Sequence, residues 1–352
     1  MKRRATIFGI SGCTNAGKTT ISNQLVQRLK EKHFIVAHVC QDDFFKSPEN
    51  VQQIQSKDLP TEFFYHYDEP DAVNSVEMAN FIENLAKEND IIIVEGNMLC
   101  ELKNVESLLD EIVFFTMTKE ECEKRRSTRS YDPADKPGYF EQIVWPAYEE
   151  HYSNAMKRDE EDNKILFISG TDPLEEIAAK VYCKLQDVFK DFVRIQFHPI
   201  SSMTTESFVN LPNCGAISTF IGTTRDNFNN KQVHSLEYEC YESMAYSELK
   251  NVCQKTREKF PEIKRISIFH RIGKVDIGEA SVIISTSSPH RREAIEGTHF
   301  AIDILKEIVP IFKKEIYADG TKSWKENSEF DNFKDKLQCN GCCGDAKYSS
   351  NQ

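Results

Sequence analysis

A chain of 352 residues is longer than the size at which a single hydrophobic core usually stops growing, so two domains are expected. Apolar residues make up 39% and charged residues 28%, which fits a folded protein with enough apolar material for two cores. The formal net charge of −12 argues against broad binding to nucleic acid or to a membrane surface. Since no run of about 18 apolar residues occurs, no membrane span is predicted.

The N-terminus and the cysteine content bear on the compartment. The segment MKRRATIFGISG is basic, but its apolar run is too short and too rich in glycine for a secretory signal. Eleven cysteines in a chain without such a signal are expected to be reduced thiols rather than a disulfide framework. These features predict a cytoplasmic protein.

Strand-like and helix-like segments alternate in the first half of the chain. The segment TTISNQLVQRLKEK has the helical spacing of Ile21, Leu25 and Leu29. Continuous apolar runs are typical of strands that are buried on both faces. The five runs are RATIFGIS, FIVAHVC, IIIVEG, EIVFFTM and KILFISG. The alternation predicts an α/β domain over residues 1–189, with a doubly wound parallel sheet.

The order of elements changes near residue 190, after a closing helix predicted in DPLEEIAAKVYCKLQDVFKDF. Strand, helix, strand, strand, helix and strand follow, and the last helix starts at about Pro289. This βαββαβ-like order predicts an α+β domain over residues 190–330, with a mostly antiparallel sheet. The polar tail 331–352 is expected to be disordered. Its Cys339, Cys342 and Cys343 fall short of the four ligands that a closed zinc site usually needs.

A phosphate-binding motif lies between the first strand and the first helix. GCTNAGKT, residues 12–19, matches G-x-x-x-x-G-K-[ST] in the required strand-to-helix context, which disfavours a fortuitous glycine-rich turn. Gly12 and Gly17 let backbone amides curl around phosphate, Lys18 reaches the outer phosphates, and Thr19 holds Mg²⁺. The predicted ATP-binding residues of the loop are Gly12, Asn15, Ala16, Gly17, Lys18, Thr19 and Thr20.

Acidic and basic side chains follow the other strands. Asp42 and Asp43 come after the second strand, at the edge where doubly wound sheets bind ligands. Asp42 suits a general base or a Mg²⁺ ligand, although a turn or capping aspartate is the alternative. Glu95 ends IIIVEG, so the predicted metal ligands are Thr19, Asp42 and Glu95. The cluster KRRSTRSYDP suits a lid over transferring phosphate, or else a solvated charged face.

The motifs GISGCTNAGKTT, QDDFFK, EECEKRRSTR and PGYFEQIVWPAY together resemble the nicotinamide riboside kinases, relatives of uridine kinase, over about residues 4–188. The resemblance implies transfer of the γ-phosphoryl group of ATP to the 5′-hydroxyl of a nicotinamide nucleoside, with ATP and Mg²⁺ as cofactors. It makes Asp42 the general base and places Arg125 and Arg129 in the ATP lid. The implied nucleoside-binding residues are Asp42, Asp43, Phe44, Phe45, Tyr67, Asp68 and Arg126.

Two alternatives remain for this domain. The first is a nucleotide-binding scaffold without turnover. The second is a kinase that acts on uridine or cytidine. Retention of Lys18, Asp42 and Arg126 argues against an inert module. A cationic pyridinium prefers a ring face such as that of Phe45 or Tyr67, which favours the nicotinamide nucleoside.

The motifs CGAISTFIGTTRDN, LEYECYESMA, FHRIG, SSPHRREAIEG and VPIFKKEIYADGTKSW resemble the catalytic (large) subunit of molybdopterin synthase, over about residues 191–328. The resemblance implies conversion of cyclic pyranopterin monophosphate to molybdopterin. The sulfur comes from a thiocarboxylate on the C-terminal glycine of a separate ubiquitin-like small subunit, and no cofactor is required. The implied pterin-binding residues are His290, Arg291, Lys306, Lys313, Lys314, Glu315 and Arg225, and Lys306 and Lys313 are the implied catalytic lysines.

Several of the implied pterin-site residues also suit purely structural or solvent-exposed roles. Lys306 on a helix surface would usually be solvated, and His290 after Ser288 and Pro289 suits a helix start. His270 and Arg271 in FHRIG are interpreted as structural or pocket-lining. Some bacterial members of the family have an additional arginine late in this domain, where this chain offers Lys325, so that contact is not predicted.

The spacing of these residues predicts a shared site. In an unbroken helix, His290 and Lys306 would lie roughly 24 Å apart, which one pterin monophosphate cannot span. Either the helix breaks near Gly297, or His290 and Arg291 come from a second copy of the chain. A lone glycine costs only about 1 kcal/mol in a helix, so a symmetric dimer of this domain is predicted. With the small subunit the dimer would form a heterotetramer.

Overall fold

The computed structural model describes residues 5–129, 135–162, 164–228 and 231–325. The chain divides into two compact units, with the boundary between Phe189 and Lys190. The predicted disordered tail and its three cysteines lie outside the described residues. No helix in the described ranges has both the length and the apolar character needed to cross a membrane.

The N-terminal unit is built on a five-stranded parallel sheet. The seven strands of this unit are β1 (Thr6–Gly12), β2 (Val36–Cys40), β3 (Gln53–Gln55), β4 (Phe63–Tyr65), β5 (Ile91–Glu95), β6 (Glu111–Thr116) and β7 (Ile165–Ser169). The sheet has the order β2-β5-β1-β6-β7, while β3 and β4 form a separate antiparallel pair. All five residues of β5 are buried, and successive strand residues point to opposite faces, so both faces are covered. The predicted parallel α/β sheet is confirmed.

Helices connect these strands. They are α1 (Lys18–Glu31), α2 (Ser75–Leu85), α3 (Lys103–Glu106), α4 (Lys119–Ser127), α5 (Trp145–Asp162) and α6 (Leu174–Val188). Helix α1 starts directly at the P-loop, with Gly17 as its N-cap. Thr118 caps α4, because its hydroxyl oxygen accepts a hydrogen bond from the Glu121 amide at 3.4 Å. This cap fixes the start of the helix that carries the clustered arginines.

In its described residues, the C-terminal unit contains two sheets and three helices. Its strands are β8 (Asp191–Gln196), β9 (Ala216–Thr223), β10 (Asn227–Phe228), β11 (Lys231–Cys240), β12 (Arg265–Arg271), β13 (Gly273–Asp276), β14 (Ala280–Ser288), β15 (Ile311–Tyr317) and β16 (Lys322–Lys325). One sheet has the order β8-β12-β14-β9, and the other has β10-β11-β15-β16 with β13 also paired to β11. Among the strand pairs of this unit that the structure describes, β8 with β12 is parallel and the rest are antiparallel. The predicted, mostly antiparallel α+β fold is confirmed.

Several elements in and just before this unit differ from the sequence-based expectation. The closing helix ends at Val188, so the prediction that it continues to Phe192 is wrong. Asp191–Gln196 is instead strand β8, because it pairs in parallel with β12 across 74 or more intervening residues of sequence. Helix α7 (Ser202–Val209) and strands β10, β11, β13 and β16 were not predicted. Such pairings depend on distant partners, and local patterns do not reveal them.

Two long helices cover the first of these sheets. Helices α8 (Glu242–Lys259) and α9 (Arg291–Ile308) pack on it through a core that includes Leu249, Val252, Ile268, Ile284 and Leu305. Helix α9 is unbroken and has Gly297 in its buried face. A Cβ atom at Gly297 would lie 2.2 Å from Ile263 Cδ1, so this glycine serves close packing and does not break the helix.

Candidate functional sites

The loop between β1 and α1 is curled by three residues with positive φ. The φ angles are 113° at Gly12, 59° at Asn15 and 91° at Gly17. A Cβ atom at Gly12 would lie 2.2 Å from the carbonyl oxygen of Phe115, because β6 runs directly beside this residue. Position 12 therefore requires glycine, because its φ angle is positive and because the neighbouring strand leaves no room for a Cβ atom.

Lys18 folds back over this loop. Its Nζ atom donates hydrogen bonds to the carbonyl oxygens of Gly12 at 3.0 Å and Cys13 at 2.9 Å. Burial lowers the pKa of Lys18, and Cys13 and nearby carboxylates oppose that shift. Since the first turn of α1 also leaves backbone amides unpaired within the helix, the loop offers a cation and a helix N-terminus to an anion.

We expect Gly12→Ala to destabilise the N-terminal unit by about 3 kcal/mol or more, because a strained φ alone costs about 1–3 kcal/mol and the methyl group also meets backbone. Gly17→Ala is the matched control, since it has a positive φ but no atom within 4 Å of the added Cβ. Urea unfolding of the purified variants measures both. Equal loss of stability in the two variants would contradict the packing explanation.

Two carboxylates reach the same edge of the parallel sheet. β2 and β5 are paired with Cys40 opposite Glu95, so Glu95 and Asp42, two residues beyond Cys40, lie close together. Glu95 is 2% exposed and lies 3.3 Å from His38 Nε2. Burial opposes ionisation of Glu95, but hydrogen bonds from His38 and Thr19 outweigh it and lower its pKa. Desolvation by the surrounding protein raises the pKa of Asp42, with Lys18 opposing the shift.

The predicted metal ligands fit Mg²⁺ by the chemistry of their donor atoms. Thr19, Asp42 and Glu95 line the same cleft and supply one hydroxyl and two carboxylates. Mg²⁺ usually takes one or two protein carboxylates and completes its shell with phosphate oxygens and water. The described ranges contain no group of three or more His, Cys, Asp or Glu residues that could hold a metal ion.

Helix α4 and its C-terminal flank point three arginines at the P-loop. Arg125 Nη1 donates to the carbonyl oxygens of Gly170 at 3.1 Å and Asn15 at 3.4 Å. Arg129 Nη1 donates to Asn15 Oδ1 at 3.2 Å. Arg126 binds both carboxylate oxygens of Asp135, at 2.6 and 3.0 Å. The predicted lid arginines are thus in direct contact with the phosphate-binding loop or beside it.

A cleft of about 880 Å³ extends from the P-loop to an aromatic wall. The Phe45 and Tyr67 rings are 5.4 Å apart at 77°, and the hydroxyl of Tyr139 donates to the Tyr65 carbonyl at 3.1 Å. Burial raises the pKa of Asp68, with Arg126 opposing the shift most strongly, and Asp68 Oδ1 accepts from Asn97 Nδ2 at 2.9 Å. Aromatic faces and a carboxylate therefore line the same cleft as the phosphate loop.

The structure brings most of the predicted N-terminal residues together. Those that line the cleft are Asn15, Gly17, Lys18, Thr19, Thr20, Asp42, Phe45, Tyr67, Asp68, Glu95, Arg125, Arg126 and Arg129. Gly12, Ala16, Asp43 and Phe44 do not line it, and the Phe44 ring instead packs 5.7 Å from that of Phe81. Tyr139 and Asn97 were missed. Tyr139 lies within PGYFEQ, but only the fold shows that this segment returns to the cleft.

In the C-terminal unit, α9 separates the predicted pterin-binding residues. His290 is its N-cap and, like Arg291, is exposed, whereas Lys306 lies in the last turn. Because the helix is unbroken, His290 and Lys306 are 16 residues and roughly 24 Å apart. Val309 and Pro310 connect α9 to β15, so Lys313 follows Lys306 closely at the same end of the helix.

Strand β15 gives its three predicted residues different surroundings. Lys313 and Lys314 point to opposite faces, since strand side chains alternate. Lys314 Nζ lies 3.0 Å from Glu239 Oε1 and 4.2 Å from the Trp324 ring centroid. Glu315 is 3% exposed, and its Oε2 accepts from the Tyr317 hydroxyl at 2.6 Å. The structure therefore engages Lys314 and Glu315 in contacts within the sheet.

Arg225 and the FHRIG motif complete the predicted set. Arg225 is exposed just beyond the end of β9, with its guanidinium 5.8 Å from the Phe228 ring centroid. His270 is buried, its Nδ1 lies 2.8 Å from the Arg271 carbonyl, and burial lowers its pKa to about 4. Arg271 pairs with Glu279 at 2.6 Å. His270 and Arg271 thus have structural partners inside the unit.

Fold and sites together define a two-domain protein, in which a P-loop unit precedes an α+β unit with cationic side chains on α9 and β15. Residues 195–308 match the family model described as MoaE protein. The molybdopterin synthase catalytic subunit of Taeniopygia guttata is 51% identical over 144 residues, which are 41% of this chain and 92% of that protein. The chain therefore belongs to the molybdopterin synthase catalytic subunit family.

Two solved structures are similar to parts of the chain. A crystal structure of molybdopterin synthase from Staphylococcus aureus is 37% identical and has a TM-score of 0.36. The match covers 37% of this chain and 94% of the Staphylococcus aureus chain. A structure of a possible uridine kinase from Bacillus stearothermophilus is 15% identical and has a TM-score of 0.33. The match covers 48% of this chain and 91% of the Bacillus stearothermophilus chain. The family assignment rests on the sequence relatives.

Proposed function

We propose that the C-terminal unit is the catalytic subunit of a molybdopterin synthase. It would convert cyclic pyranopterin monophosphate to molybdopterin, with sulfur from the thiocarboxylated C-terminal glycine of a small partner subunit. The observation that carries the proposal is that Lys306 and Lys313 lie at the same end of α9 in a chain that belongs to this family. Clustered cations suit both the substrate phosphate and the oxyanion that forms when a thiocarboxylate is attacked. Lysine suits a covalent role, because its amine is a nucleophile when it is not protonated.

The unbroken helix supports a site shared between two copies of the chain. His290 lies beside the start of β9, because Ser288 pairs with Ala216, whereas Arg225 follows its other end. Helix α9 returns along these strands: Thr286 Oγ1 donates to the Ala294 carbonyl, and Thr298 Oγ1 donates to the Ser218 carbonyl. Lys306 therefore lies towards the Arg225 end, and His290 lies at the opposite end.

Strand β9 offers a surface for this pairing. It is an edge strand of its sheet, and it exposes Ile217 by 42% and Ile221 by 45%. Antiparallel pairing of β9 with its copy would place the start of one strand beside the end of the other. His290 and Arg291 of the partner subunit would then face Arg225 and Lys306. With one small subunit for each site, the assembly would be a heterotetramer.

The synthase proposal is tested with the full chain, cyclic pyranopterin monophosphate and a thiocarboxylated small subunit. We expect molybdopterin, measured by its fluorescent oxidation product, in amounts that rise with the thiocarboxylate supplied. A small subunit with an ordinary C-terminal carboxylate is the control and should give none. If the thiocarboxylated subunit also gives none although it binds the chain, the proposal is wrong.

For the N-terminal unit, we propose transfer of the γ-phosphoryl group of ATP to the 5′-hydroxyl of a nicotinamide nucleoside in the cytoplasm. The supporting geometry is a single cleft that is lined by the P-loop with Lys18 and by the Phe45 and Tyr67 rings. Thr19, Asp42 and Glu95 would hold Mg²⁺, which neutralises charge on the phosphates. Asp42 would accept the proton of the attacking hydroxyl, because its carboxylate lines the same cleft as the P-loop and the aromatic rings.

We expect nicotinamide riboside to be phosphorylated in preference to uridine and cytidine when all three compete for the purified protein with MgATP. The aromatic rings and the carboxylate of Asp68 favour a cationic base over a neutral one. Mass spectrometry of the products measures the ratio. Preference for uridine would identify a pyrimidine nucleoside kinase, and absence of any product despite ATP binding would favour the scaffold alternative.

A further inference from the structure

We propose that Cys13 and Cys122 form a redox modification site, in which a peroxide joins them in a disulfide that ties the P-loop to helix α4. Their sulfur atoms lie 3.5 Å apart although 109 positions separate them in sequence. The eight cysteines within the described ranges are Cys13, Cys40, Cys100, Cys122, Cys183, Cys214, Cys240 and Cys253, and all are free thiols.

Both thiols belong to elements of the phosphate site. Cys13 is the second residue of the P-loop motif, its amide donates to the Phe115 carbonyl at 2.9 Å, and its own carbonyl accepts from Lys18. Cys122 lies one turn before Arg125 and Arg126 on α4, and its Sγ is 3.5 Å from the Thr14 carbonyl oxygen. A disulfide bond is about 2.0 Å long, so the two sulfurs need to approach by only about 1.5 Å.

The surroundings of Cys122 favour its thiolate. The hydrogen bond from Cys13 lowers the pKa of Cys122, and the nearby cations Arg126, Lys18 and Arg125 lower it further against the effect of burial. The two thiols are 1% and 0% exposed, but Thr14, Arg125 and Arg126 beside them line the open cleft. We expect a peroxide, which is little larger than water, to reach the pair when the side chains beside the cleft open locally.

The reaction balances with hydrogen peroxide as the oxidant. The Cys122 thiolate attacks one peroxide oxygen, which forms a sulfenic acid and releases the other oxygen as water after protonation. The Cys13 sulfur then attacks the sulfenic sulfur and gives its proton to the departing hydroxide, so that the disulfide forms and a second water leaves. Two thiols lose two hydrogens in total, and one peroxide is reduced to two waters. A small-molecule thiol reverses the step.

The bond would change the phosphate site, a consequence that rests on the proposed binding of ATP. Lys18 has to leave the Gly12 and Cys13 carbonyls to reach a phosphate, while the arginines of α4 close over it. A covalent tie between Cys13 and α4 restrains both movements and shifts the loop amides. Since one charge-assisted hydrogen bond is worth about tenfold or more in affinity, we expect the oxidised protein to bind MgATP about tenfold or more weakly.

The test uses the full chain, reduced or treated with hydrogen peroxide and then alkylated. Peptide mass spectrometry should show Cys13 joined to Cys122, and titration with MgATP should show the loss of affinity, restored by dithiothreitol. Cys122→Ser should bind MgATP equally with and without peroxide. Cys183→Ser is the matched control, because Cys183 is an exposed thiol on α6 of the same unit, and it should respond like the parent protein.

Three results separate this inference from the proposed kinase activity. Alkylated Cys13 and Cys122 after peroxide treatment would overturn the inference, and a disulfide that leaves MgATP affinity unchanged would overturn its regulatory consequence. Failure of the reduced protein to bind MgATP would overturn the proposed function and the regulatory consequence. The joined peptide would still establish the modification site.

Discussion

Replacement of Asp42 with alanine is expected to reduce nucleoside phosphorylation by about 10²–10⁴-fold while MgATP still binds, because a general base acts on the acceptor hydroxyl. Asp42 follows β2 and lines the same cleft as Lys18 and Tyr67. Lys18, the P-loop and two of the three proposed Mg²⁺ ligands, Thr19 and Glu95, remain in the variant, so MgATP binding is expected to persist. Product formation by mass spectrometry and MgATP titration, measured on the same preparation, give the two quantities.

Asp43→Ala is the matched control for this experiment. Asp43 is the adjacent carboxylate, is exposed, and does not line the cleft, so its loss should leave phosphorylation within about twofold of the parent protein. Unchanged turnover in Asp42→Ala would remove Asp42 from its proposed role. A larger loss of phosphorylation in Asp43→Ala than in Asp42→Ala would show that Asp42 is not the general base and would favour Asp43.

The second large effect is expected from mixing two inactive variants of the C-terminal unit. His290→Ala/Arg291→Ala and Lys306→Ala should each lose molybdopterin synthesis, because each removes one half of every shared site. After subunit exchange, half of the dimers contain one copy of each variant, and such a dimer has one site with neither defect. The mixture should therefore recover about a quarter of the parent activity.

Two controls make the result of mixing decisive. Mass spectrometry of differently labelled subunits establishes that exchange has occurred, and binding of the small subunit establishes that the variants are folded. A Lys306→Ala variant mixed with Lys313→Ala should show no recovery, because both lysines belong to the same chain's half of the site. Absence of recovery in the first mixture despite exchange would contradict the shared site and leave a pocket within one chain.

A further variant tests the β9 surface on its own. Ile221→Lys places a charge on the exposed side of the edge strand, where like charges from two copies would oppose each other. It should shift the chain from dimer to monomer in sedimentation and lower synthesis in parallel. A dimer that persists with Ile221→Lys would move the proposed contact to another surface.

The parts of the fold that the sequence predicted correctly depend on local patterns. The five parallel strands are continuous apolar runs, and such runs indicate burial on both faces without knowledge of the partner strand. The P-loop could also be predicted from the sequence, because the positive φ angles that the loop requires fall on Gly12 and Gly17 of the motif itself. Strand β8 was missed because its parallel partner β12 lies far along the chain.

The sequence by itself determined which chemical groups are present: a phosphate loop, carboxylates after two strands, an arginine cluster and two lysines around the end of a helix. Only the tertiary structure decided which of them meet. Sheet register brought Glu95 towards Asp42, strand alternation separated Lys313 from Lys314, and the intact helix α9 separated His290 from Lys306. Packing of α4 against the P-loop brought Cys13 to Cys122. Proximity between distant segments depends on packing of the whole unit, and no spacing within a single segment encodes it.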